Sequence, residues 1–111
     1  YMKLYGRVPP LAGIHFHSYQ WGRDTLQDTC WFVQDARAVY GRHLLLWLTE
    51  CGDLRPGGDW RRAMATVQDI AKHCKLHGYA WFVSHDAGHP HCNLLDEAGQ
   101  LTEIGRAYRE L

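Results

Sequence analysis

Glu50 closes the apolar run Leu44-Leu45-Leu46-Trp47-Leu48-Thr49-Glu50 and is followed by Cys51 and Gly52. A carboxylate in that place suits nucleophilic or acid–base work, because a strand fixes the backbone while the following loop leaves the side chain accessible. His17 and Tyr19 are the next candidates. In the stretch Leu11 to Tyr19 they alternate with Ile14 and Phe16, so that His15, His17 and Tyr19 share one face. Histidine is abundant, with eight in 111 residues. His73 and His77 fall one helical turn apart, and His85, His89, His91 and Cys92 cluster in one loop, so each set offers zinc-ligand chemistry. The first set lacks the glutamate of an H-E-x-x-H pair, its intervening residues being Cys74, Lys75 and Leu76. The second follows no finger spacing, and no metal is expected.

The elements that position these residues follow from periodicity. Residues 1 to 10, with Gly6, Pro9 and Pro10, read as a tail or connection into the strand Leu11 to Tyr19. Asp24 is placed to cap a helix whose apolar positions are Leu26, Cys30, Val33, Ala36 and Tyr40, stopped by Gly41. The run ending at Glu50 reads as a strand buried on both faces, with Leu44, Leu46, Leu48 and Glu50 on one side and Leu45, Trp47 and Thr49 on the other. A loop from Asp53 to Gly58 leads to Asp59, the cap of a helix with the stripe Trp60, Ala63, Met64, Val67, Ile70, Ala71 and Cys74, ended by Gly78. Tyr79 to Ser84 reads as a third buried strand in which Trp81 shares a face with Tyr79 and Val83. Asp96 to Gly99 reads as a tight turn between short extended pieces, and Thr102 as the cap of a last helix with Ile104, Ala107, Tyr108 and Leu111 inward.

Strand and helix thus alternate three times, which predicts an α/β fold with parallel strands. The strands start near residues 12, 44 and 79. The intervals of about 32 and 35 residues match the roughly 30 residues of one unit in an eightfold barrel. Three such units cannot close a sheet, so the expectation is a partial (β/α)8 TIM barrel: three C-terminal β-α units, residues 1–111 forming one segment of a single larger domain or a piece that must associate.

Twelve basic and twelve acidic side chains leave no net charge and no basic run, which points away from nucleic acid. No apolar run reaches the roughly 20 residues of a membrane span, so no membrane partner is expected. The chain opens at Tyr1 inside apparent structure, so the lack of a leader sets no location, and an extracellular parent is the favoured expectation. Cys30 and Cys74 fall on apolar helix faces and no C-x-x-C occurs, so free thiols rather than a disulfide framework are expected. Five Trp and six Tyr exceed what a core of this size needs, and their planar faces with polar edges suit sugar rings.

Taken together, three stretches make the chain resemble the C-terminal part, strands six to eight, of clan-A-type glycoside hydrolase barrels, similar to families 5 and 128. Leu46-Trp47-Leu48-Thr49-Glu50-Cys51-Gly52 resembles a seventh strand whose W-x-T-E-x-G pattern ends in the nucleophile. His17-Ser18-Tyr19 resembles the H-x-Y that ends the sixth. Tyr79-Ala80-Trp81-Phe82, then Asn93 to Tyr108 with its G-x-L-T-x-x-G-x-A-Y run, resembles the eighth strand and its tail.

The resemblance implies a retaining glycoside hydrolase acting on an oligo- or polysaccharide, a β-glucan or a relative of one, with no cofactor. Such enzymes use two carboxyl groups about 5 to 5.5 Å apart, one attacking the anomeric carbon and one protonating the leaving oxygen. Glu50 is then the nucleophile, Tyr19 its hydrogen-bond donor, His17 a residue of the sugar site, and Trp81 the aromatic floor; His85 represents the loop histidines as a substrate contact. The family's acid/base, the Glu of an Asn-Glu pair, ends the fourth strand, about 60 residues before His17 on this spacing. Only 16 residues precede His17, so that group is expected to lie outside this chain, whose expected partners are the remaining N-terminal part of the barrel or a second copy of the chain. Asp86 has no motif that would give it the role. The competing expectation is a carbohydrate-binding or assembly module that keeps the aromatic surface without hydrolysis.

Overall fold

The computed structural model describes residues 2–7, 9–19 and 25–111. Its elements are α1 (Met2–Tyr5), β1 (Gly13–Tyr19), α2 (Thr25–Tyr40), β2 (Leu45–Gly52), α3 (Trp60–His73), β3 (Gly78–Trp81), a 3-10 turn (Pro90–Cys92) and α4 (Glu103–Arg109). The three strands form a parallel sheet in the order β1-β2-β3. This is the α/β alternation read from the sequence. The expected tail instead begins with the short helix α1, and Asp24, the expected cap of α2, lies outside the described residues.

The core lies between one face of the sheet and the helices. Leu44, Leu46 and Leu48 leave the sheet on that side almost fully buried and meet Val33 and Ala36 of α2 and Ala63, Met64, Val67 and Ile70 of α3. Burial of each such leucine is worth about 1.5–3 kcal/mol, so this face holds the unit together. The other face is open. Leu45 and Trp47 are 42% and 41% exposed, which corrects the expectation of a strand buried on both faces: no helix covers that side among the described residues. The Trp47 ring there meets His77 with centroids 4.4 Å apart.

The caps follow their chemistry. Asp59 accepts the Arg62 amide at 3.1 Å and Thr102 accepts the Gly105 amide at 3.0 Å, each filling an orphan donor of a first turn. The end of α3 departs from expectation. The helix stops at His73, with Cys74 as its C-cap and Lys75 at φ 51°, while Gly78 belongs to β3. Gly78 is needed there for space, since a Cβ would stand 2.7 Å from the Trp47 ring. Leu111, expected inward, is past α4 and 54% exposed. The turn from Asp96 to Gly99 forms as read, closed by a Leu95–Leu101 bridge and with Gly99 at φ 75°.

The four thiols are free, and three are pushed up in pKa by burial: Cys51 and Cys74 to about 12, Cys92 to about 11. Cys30 lies beside Cys74, sulfur to sulfur 2.7 Å, and raises it further. Because the folded chain keeps these protons after the unfolded chain has released them, the stability they contribute is intact below about pH 9 and is lost as pH climbs toward 11 and 12. The urea midpoint is therefore expected to fall steadily above pH 9. Cys51→Ser, which keeps the donor to the Ala80 carbonyl at 3.1 Å, should flatten part of that slope. A midpoint constant from pH 8 to about 10.5 would show the thiols to be solvated.

Candidate active site

The C-terminal ends of the three strands carry the candidate residues, and a bulge decides which way they face. In the β1–β2 register Phe16 pairs with Leu48 but His17 pairs with Glu50, and on the other side Tyr79 pairs with Leu48 but Trp81 with Cys51. Both neighbours thus register one extra residue in β2. An extra residue re-aims the side chains after it. Leu48 and Cys51 both point into the core at 0% exposure, and Thr49 and Glu50 both lie on the open face. Strict alternation had put Glu50 on the side of Leu44, Leu46 and Leu48; the bulge turns it to the side of His17 and Tyr19.

There the three meet at one carboxylate oxygen. The Tyr19 hydroxyl donates to Glu50 Oε2, and His17 Nδ1 lies 3.3 Å from the same atom. Among the described residues Oε1 carries no hydrogen bond, leaving one oxygen held and the other available. Burial first, and then the bond to Glu50, pushes the Tyr19 phenol above its ordinary range, so it stays a donor through neutral pH. β1 is held in orientation from behind, where the Ser18 hydroxyl pairs with the buried Thr29 of α2 at 3.1 Å. Thr49 ties to His15 Nδ1 at 3.1 Å on the open face.

Phe82, just past β3, completes the row. Its ring stands edge to face with Tyr19, centroids 5.8 Å apart, and with His89 at 6.1 Å. Its amide donates to the Cys51 carbonyl at 2.7 Å, and the Phe82–Val83 peptide bond is cis. Gly52 lets this segment approach: a Cβ there would lie 3.1 Å from the Phe82 carbonyl oxygen. The loops behind are fastened to each other. Asp53, 2% exposed, takes two bonds from the Arg55 guanidinium at 2.7 and 2.5 Å, which hold its carboxyl below the usual range, and its carbonyl accepts the Cys92 thiol at 3.0 Å.

Residues 9–108 match the family model described as glycosyl hydrolase catalytic core. The chain belongs to that family. None of the curated proteins matches it. Among solved structures it is similar to a GH128 (subgroup II) endo-β-1,3-glucanase from Sorangium cellulosum, with a TM-score of 0.65 and 24% identity over 87% of this chain. The likeness is one of fold, and the chain spans 40% of the length of that enzyme.

For a member of the glycosyl hydrolase family, the structure brings together Glu50, His17 and Tyr19 and separates the other two sequence candidates from them. Trp81 is a core residue, 6% exposed, its indole N–H donating to the Cys92 carbonyl at 3.0 Å. It does share a face with Tyr79, but that face is the helix side, because both pair with inward residues of β2. Phe82, one residue later, has the position expected of Trp81. His85 Nδ1 faces the Leu95 carbonyl at 3.3 Å and the Asn93 amide nitrogen at 3.4 Å, so its ring serves the loop, whereas His89 meets Phe82. The signal for Phe82 was the Trp81-Phe82 pair itself, whose parity follows only from the bulge. Among the described residues no group of three metal-ligating side chains converges. The helical His73 and His77 pair does not exist as such, since α3 ends at His73.

Proposed function

We propose that this chain supplies the nucleophile side of a retaining glycoside hydrolase acting on a β-glucan, as strands six to eight of a (β/α)8 barrel. The observation that carries the reading is the Glu50 carboxylate held through one oxygen by Tyr19 and His17 at the carboxyl ends of parallel strands, where barrel folds place their chemistry. The Sorangium enzyme's β-1,3-glucan substrate supports that linkage here. Glu50 Oε1 attacks the anomeric carbon while the bond to the leaving oxygen breaks. The acid/base carboxyl, supplied by the N-terminal part of the barrel, protonates that oxygen. It then takes a proton from the water that releases the sugar. The exposed face of Leu45, Trp47, His15 and His17 becomes the barrel interior in this reading. Alone, the chain is inactive, because losing general-acid assistance costs on the order of 100 to 10,000-fold.

The experiment is the stereochemical course. Proton NMR of β-1,3-glucan oligosaccharide hydrolysis by the complete barrel should show the β-anomer first. Initial formation of the α-anomer would mean inversion and would remove Glu50 as nucleophile. Binding without any hydrolysis by the complete barrel would favour the carbohydrate-binding module instead.

A further inference from the structure

The loop from Ser84 to Asn93 carries a second ordered constellation against the Phe82 ring. His89 Nδ1 lies 2.7 Å from Asp86 Oδ2, and Asp86 is itself fixed: its Oδ1 accepts the Gly88 amide at 3.0 Å and its amide donates to the buried Asn93 side chain at 2.8 Å. A carboxylate only accepts, so Nδ1 carries the proton and Nε2 is the ring atom left to meet a ligand. Among the described residues nothing hydrogen-bonds that atom, and the ring is 37% exposed. Next to it, ring centroids 6.2 Å away, His91 holds a buried Nε2 with no partner. The His91 atom is closed to solvent, so of the two rings it is His89 that a hydroxyl from outside can reach.

We propose that His89, oriented by Asp86, is a substrate-recognition residue whose Nε2 hydrogen-bonds a hydroxyl of a sugar unit seated against Phe82. The inference rests on the glycan reading above and adds to it a named specificity contact. Phe82 stands edge to face with both Tyr19, the partner of Glu50, and His89, so a sugar chain seated on Phe82 has the nucleophile's partner and His89 as neighbours. Asp86 acts through His89 as a positioning residue and does not donate a proton to the leaving group. Its hydrogen bond to His89 first, and then the Gly88 amide, hold its carboxyl below the usual range, which keeps it ionised.

The test is a titration of the complete barrel, with its histidine rings isotope-labelled, using β-1,3-linked glucotriose. The ring signals of His17 and His89 should move together and give one Kd, and His89→Ala should weaken that Kd about 5- to 10-fold, the value of one hydrogen bond. Movement of His17 with a stationary His89, and unchanged affinity in His89→Ala, would overturn the His89 assignment and leave the glycan reading standing. No movement of either ring at millimolar sugar would overturn both. The wild-type titration decides the matter even if the variant loop fails to fold.

Discussion

Glu50→Gln, introduced into the complete barrel, is expected to lower kcat for β-glucan hydrolysis on the order of 1,000-fold or more while leaving glycan binding detectable. The amide has the carboxylate's shape and still accepts from the Tyr19 hydroxyl, so the side chain keeps its place on the open face. What it loses is the charge on Oε1 that forms the glycosyl bond. The loss therefore falls on kcat, with KM little changed, because the interaction removed exists only on the way to the transition state. Reducing-sugar release and a binding isotherm, measured on the same protein, separate the two. Hydrolysis retained within tenfold would sink the nucleophile assignment. A parallel loss of binding would point to a collapsed site, which circular dichroism of the Trp-rich sheet would register.

The place of Glu50 at the carboxyl end of a strand was legible because an apolar run, a terminal carboxylate and a glycine are local signals. The side of the sheet it faces was not legible. Thr49 is an ordinary strand residue, and nothing in its identity announces that β2 takes an extra residue there; the bulge appears only as a mismatch with both neighbouring strands. The same hidden parity puts Trp81 in the core and Phe82 beside Tyr19. Helix caps were read correctly at Asp59 and Thr102, since capping depends on a side chain and an amide three residues away. The end of α3 was missed because Gly78 looked like a stop signal, when its small size answers to the Trp47 ring on a neighbouring strand. His89 could not be distinguished from His85 in sequence. Which of them meets Phe82 depends on Asn93, which binds the backbone of Asp86 and folds the loop back.

Gly105→Ala is expected to destabilise the chain by about 3 kcal/mol or more, although helix propensity alone predicts a gain of about 1 kcal/mol. Gly105 lies in the first turn of α4, and a Cβ there would stand 2.0 Å from the Leu94 carbonyl oxygen. That oxygen cannot move aside, because it accepts the Thr102 amide at 3.0 Å and the Leu94 amide in turn donates to the Val83 carbonyl at 3.0 Å. The helix would have to lift. Lifting it breaks the Thr102 cap and draws Ile104, 6% exposed, out of the core beside Ala63 and Met64. It also takes Tyr108 away from the Trp81 amide, to which its hydroxyl oxygen is acceptor at 3.4 Å. The T-x-x-G of the tail is thus a packing device: the threonine caps the helix and the glycine lets it rest on the backbone that follows β3. A urea midpoint at or above that of the wild type would show that α4 does not sit on Leu94.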